Sequence, residues 1–110
     1  MKDDTPYLAH IHECLERIER YASGGRDSFF SDTLIQDAVI RNLQTLAESS
    51  RRLSSTLQEE HREIDWKNIA GLRNVLVHDY LGLDLEQIWL IVETDLPPLR
   101  CLIENLLEQQ

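Results

Sequence analysis

One aliphatic stretch of the chain carries an unusual set of polar residues: Ile69-Ala-Gly-Leu-Arg73-Asn74-Val-Leu-Val-His78-Asp79-Tyr80. Arg73 is a permanent cation whose planar fork matches a two-oxygen anion such as a phosphate or a carboxylate. His78 gains and loses a proton near neutral pH, which suits it to acid or base work. On an ideal helical wheel Ile69, Leu72, Leu76 and Tyr80 form the centre of an apolar arc, and Arg73 falls inside its edge beside Val77. Asn74 and His78 share a different face, so Arg73 and His78 stand about 140° apart around the helix. Two readings follow from the spacing. In one, Arg73 lays its stem over the core and pairs with a carboxylate such as Asp79 or Glu48, and His78 is a partly exposed surface residue. In the other, Arg73 and His78 converge, because the helix ends near His78 or because a second subunit completes a cleft. Spacing alone does not choose between them.

Other chemistry-bearing residues give weaker signals. Arg41, Arg51, Arg52 and Lys67 are candidates for a local positive rim, with salt bridging to Glu48, Glu59 and Glu60 as the plain alternative. His10 and Cys14, four residues apart, begin a zinc pattern that would need His61 as well, and three converging ligands are too much to expect from that spacing. No metal site is expected. Cys14 and Cys101 are too sparse for a disulfide framework and read as reduced, packed thiols. Phe29, Phe30 and Trp89 read as core or subunit-contact residues rather than stacking platforms.

The elements that must position these residues are helical. The chain has 110 residues, 42% hydrophobic and 28% charged, with only four glycines and three prolines, which fits one domain over 1–110 and argues against a β-sandwich or a disordered tail. Leu8, Ile11, Leu15, Ile18 and Ala22 step by three and four, predicting a first helix started by Thr5-Pro6 and stopped at Gly24-Gly25. After Phe29-Phe30, a wide apolar face from Leu34 through Leu57 predicts a second helix over about 32 to 57, followed by a solvated connection from Gln58 to Glu63. Asp65 should cap a third helix running from Trp66 to about Tyr80, with Gly82 as its stop. A fourth stripe, Leu85 to Leu106, is interrupted by Pro97-Pro98, where a kink or a restart capped by Thr94 or Asp95 is expected. The economical fold is all-α, an antiparallel four-helix bundle.

Eleven basic against twenty acidic residues give a net charge of -9, so a nucleic-acid role requires a locally positive site. No apolar run reaches membrane-spanning length and the Met-Lys-Asp-Asp start lacks a signal-peptide core, so a cytoplasmic protein without membrane contact is expected.

Arg73-Asn74, three aliphatics and His78-Asp79-Tyr80 together resemble the signature of the HEPN-superfamily ribonucleases, specifically the HepT toxin family. The segments Gln36-Asp-Ala-Val-Ile-Arg-Asn-Leu43 and Asp95-Leu-Pro-Pro-Leu99 resemble blocks of the same family, so the likeness runs along almost the whole chain. The resemblance implies an all-helical, homodimeric endoribonuclease toxin that needs no metal or other cofactor and has its cleft where two copies of the motif helix meet. By motif position it makes Arg73 and His78 the catalytic pair and gives Asn74 and Asp79 supporting roles. Tyr80 becomes the tyrosine to which a nucleotidyltransferase antitoxin of the MntA type adds AMP. The competing expectation is a non-catalytic helical partner of that nucleotidyltransferase, or a nucleotide-binding module serving it.

Overall fold

In a computed structural model that describes residues 3–78 and 84–109, with the side chains of 74–78 outside the description, the chain forms a helical bundle without strands among the described residues. Helix α1 (Thr5–Tyr21) buries Leu8, Ile11, Leu15 and Ile18 on the stripe read from the sequence, and adds Cys14. Pro6 lies in its first turn as expected, but the N-cap position belongs to Asp4, not to Thr5. A short 3₁₀ turn (Ala22–Gly24) ends at Gly25, whose φ of 88° is a backbone conformation that favours glycine. That turn opens α2 (Arg26–Ser31), a six-residue helix that inserts Phe29 fully into the core. Phe29 meets Phe30 edge-on at 5.3 Å and Trp89 at 5.2 Å between ring centroids. Arg26 lies over the Phe30 ring and pairs with Glu86, which ties α2 to the C-terminal half.

Helix α3 (Thr33–Arg51) is the central rod, packed against both α1 and α5. Asp32 caps it by accepting a bond from the Leu34 N–H at 2.9 Å. Leu34, placed on the apolar face from the sequence, is instead 75% exposed in the first turn, while Val39, Leu43, Leu46 and Ala47 carry the buried face. The second helix predicted to reach residue 57 stops at Arg51. Ser54 adopts an extended conformation and its hydroxyl accepts the Leu57 N–H at 3.2 Å, starting a separate helix α4 (Ser55–Glu60). The predicted connection from Gln58 is therefore helical up to Glu60 and turns only afterwards.

Helix α5 (Trp66–His78) begins as predicted at Asp65, whose carboxylate accepts the Asn68 N–H at 3.0 Å. Trp66, Ile69 and Leu72 are buried along it. Asp79, Tyr80 and the expected stop at Gly82 lie outside the described residues.

The last stripe divides into α6 (Leu85–Leu90), a π-helical segment (Ile91–Asp95) and α7 (Leu96–Glu108). Pro97 and Pro98 occupy the first turn of α7 and supply no N–H, and their rings crowd the carbonyls one turn earlier. The backbone answers by widening: the Leu96 N–H bonds the Ile91 carbonyl five residues back. Asp95 stands at the N-cap of α7, the predicted restart, but its side chain makes no capping bond. Across the widened turn Ile88, Trp89, Leu96, Leu99, Ile103 and Leu106 still face the core.

Candidate active site

Helix α5 presents Arg73 immediately after two buried positions, Ile69 and Leu72, which fix the helix against α3. One residue beyond Leu72 the helix has turned about 100°, and the Arg73 side chain is about half exposed at 48%. Its guanidinium does not lie free in solvent. Nη1 stands 3.3 Å from Glu48 Oε2 on α3. The same carboxylate draws two more cations from the end of α3, Arg51 at 3.5 Å to Oε2 and Arg52 at 3.5 Å to Oε1. Three guanidiniums therefore share one carboxylate across two helices.

The spacing explains how this arises. Arg51 and Arg52 follow Glu48 by three and four residues, which brings both side chains back over it on the helix surface. Packing of α5 on α3 delivers Arg73 from the other side. The four-residue pairing of Glu48 was foreseeable; its threefold sharing was not, because it depends on how α5 is placed. Of the other rim candidates, Arg41 is exposed on α3, seven residues before Glu48 and so about 20° from it around the helix. Lys67 is exposed in the first turn of α5. Neither forms an ion pair among the described residues.

The Arg73–Glu48 contact is the carboxylate pairing anticipated for a structural arginine. It does not decide the second reading, since the His78 and Asn74 side chains, and all of Asp79 and Tyr80, lie outside the description.

The remaining polar candidates are placed elsewhere. His10 and Cys14 approach to 3.7 Å, but their further partners are hydroxyls: His10 Nδ1 lies 2.5 Å from Ser49 Oγ, and Cys14 Sγ lies 3.3 Å from Thr45 Oγ1. His61 pairs with Glu63. Burial pushes the Cys14 thiol pKa up, against a smaller opposing effect of the Thr45 hydroxyl. Cys101, read from the sequence as packed, is exposed on α7, because it faces away from the Leu99–Ile103 stripe. A cavity of about 520 Å³ lies between α1 and the α6–α7 region, lined by Leu15, Ile18, Trp89, Val92 and Arg100 among others. It contains no residue of the Arg73 cluster.

An all-helical bundle that carries an arginine–histidine helix on its central rod is a protein of the HEPN class. Residues 11–106 match the model of the family described as ribonuclease HepT-like, and the chain belongs to that family. A probable ribonuclease HepT of Thermococcus cleftensis is 35% identical over 101 residues, covering 91% of this chain and 92% of that protein. The mRNA nuclease HepT of Shewanella oneidensis is 31% identical over 110 residues, covering 78% of this chain and 82% of its own. A Methanocaldococcus jannaschii protein, named as a gamma-glutamylcyclotransferase and candidate RNase, is 37% identical over 109 residues. This chain spans about half of it (49%). No solved structure matches the chain.

Proposed function

We propose that this protein is an endoribonuclease toxin that cuts RNA without a metal, using Arg73 and His78 in a cleft completed by a second copy of the chain. The observation that carries the reading is the family match over residues 11–106, which includes the whole arginine–histidine helix. The residue types suit the chemistry. The ribose 2′-hydroxyl is the nucleophile: its oxygen bonds to phosphorus, its proton passes to one His78, and the bond from phosphorus to the 5′-oxygen breaks. The 5′-oxygen takes a proton from the partner's His78, leaving a 2′,3′-cyclic phosphate. Arg73 faces the charge that builds on the phosphorane oxygens, as a fork-shaped cation should. Asn74 and Asp79 support this pair. The partner in the cell is a nucleotidyltransferase antitoxin that adds AMP to Tyr80. The modification places a negative phosphodiester and a bulky base beside a site meant to receive phosphate.

The test is cleavage of RNA by the purified, unmodified protein with chelator present, beside Arg73→Ala and His78→Ala variants shown to remain folded. The expected result is cyclic-phosphate ends from the parent protein and a loss of about 10²-fold or more in each variant. Products with free 3′-hydroxyls, or no cleavage by a protein whose mass excludes AMP, overturn the reading.

A further inference from the structure

The cluster around Glu48 is unbalanced. A single bidentate arginine can satisfy a carboxylate, yet Arg51, Arg52 and Arg73 all crowd this one at 3.3 to 3.5 Å. Among the described residues two positive charges are left over, in a chain whose net charge is -9. The ion pairs are also loose. Charge-assisted bonds between a guanidinium and a carboxylate close to about 2.7–2.9 Å, so none of the three arginines has committed its fork to Glu48. Each guanidinium brings five N–H donors in a fixed fork. All three side chains are about half exposed, at 48% to 57%, and so open to a ligand from solvent.

What such a seat accepts follows from its present occupant. A carboxylate and the two non-bridging oxygens of a phosphodiester are both singly charged, forked acceptors of similar span. We propose that Arg51, Arg52 and Arg73 form a subsite for a backbone phosphodiester of RNA, and that Glu48 is its resident stand-in. Glu48 holds the three guanidiniums converged while the site is empty and gives up part of their donors when RNA arrives. Arg51 and Arg52 then bind a phosphate beside Arg73 and set the position of the strand on α5. The assignment rests on the reading of the chain as an RNA-cleaving enzyme, to which it adds where the strand is held. It also accounts for how an acidic protein binds a polyanion, through a local surplus of charge rather than a basic surface.

The experiment measures binding apart from cleavage. The full-length unmodified protein is titrated against a fluorescent single-stranded 2′-O-methyl oligoribonucleotide, which has no free 2′-hydroxyl and cannot be cut, across a series of salt concentrations. Arg51→Ala/Arg52→Ala is expected to weaken binding about tenfold. Its plot of log affinity against log salt should be shallower by about 0.7 for each phosphate no longer neutralised. Arg51→Lys/Arg52→Lys, which keeps the charge and removes the fork, should fall between that variant and the parent protein. Glu48→Gln removes the competing anion and should tighten binding several-fold. Circular dichroism confirms that each variant is folded. The proposal is overturned by an alanine double variant that binds with the parent affinity and salt slope, by Glu48→Gln weakening binding as the arginine changes do, or by a parent protein that does not bind at low salt. If the parent binds through Arg51 and Arg52 but never cuts natural RNA, the nuclease reading fails and the subsite stands. If it cuts RNA while binding ignores Arg51 and Arg52, the subsite alone fails.

Discussion

An arginine is a permanent cation, so the role of Arg73 is set by which anion it meets. The wheel places it at the edge of the apolar arc, and the fold resolves that oddity by turning it outward against Glu48, with Ile69 and Leu72 anchored beneath. Cys14 shows the opposite treatment: burial raises its thiol pKa, which disfavours the nucleophilic thiolate, and the thiol packs against the Thr45 hydroxyl and His10. Tyr80 is the residue on which the proposed regulation turns. Only its phenolic oxygen can accept AMP, and that oxygen has no part in the proton transfers assigned to His78. Tyr80→Phe is therefore expected to keep RNA cleavage within about twofold, while incubation with the antitoxin and ATP adds no mass and leaves it active. Silencing of the phenylalanine variant under those conditions would place the modification elsewhere. The motif itself was legible because an arginine, an asparagine and a histidine are conspicuous among aliphatics. The threefold sharing of Glu48 was not, since it needs two helices 25 residues apart in sequence, from Glu48 to Arg73, to be set side by side.

The elements were legible in their faces and less so in their breaks. The three-and-four stepping of Leu8, Ile11, Leu15 and Ile18 located α1, and the cap Asp65 was read correctly from residue type, whereas the Asp32 cap of α3 was not singled out. The stop of α3 at Arg51 was hidden because Leu53 and Leu57 continue the same apolar rhythm beyond it. What fixes the break comes from fifty residues away. Asp4, at the start of α1, accepts the Ser54 N–H through Oδ1 and the Ser54 hydroxyl through Oδ2, both at 2.7 Å. Ser54 in turn caps α4. One carboxylate thus joins the start of α1 to the α3–α4 corner. Asp4→Ala, which removes both hydrogen bonds to the carboxylate, should lower stability by about 2–3 kcal/mol. Ser54→Ala, which also removes the α4 cap, should cost about 1–2 kcal/mol. Urea unfolding measures both, and unchanged midpoints in the two variants would mean that the corner holds without the clasp. The prolines announced an interruption at residues 97 and 98, but not its form. A π turn keeps the core stripe in register where a full break would have disrupted it.

At the scale of the molecule the question is whether one chain is enough. The described chain measures 44 × 26 × 21 Å, with α3 at its centre, α1 and α5 packed on α3, and α7 packed on α1. Among the described residues no helix is long and apolar enough to cross a membrane. On a regular helix Arg73 and His78 point about 140° apart, so a single copy of α5 is poorly built to aim both at one phosphate. In the proposed dimer, two copies facing each other would supply an arginine from one side and a histidine from the other, and with them both an acid and a base. Dimerisation would also double the acidic total, to -18 from -9 per chain, which makes the proposed arginine subsites the places where a polyanion would land. The prediction is kinetic. Cleavage per chain should fall on dilution in step with the fraction of dimer, measured by light scattering or mass photometry at the same concentrations, and should recover on reconcentration. A rate per chain that stays constant while the particles become monomers would place the whole catalytic site within one bundle. Arg73 and His78 would then have to converge through the end of α5 rather than across a subunit boundary.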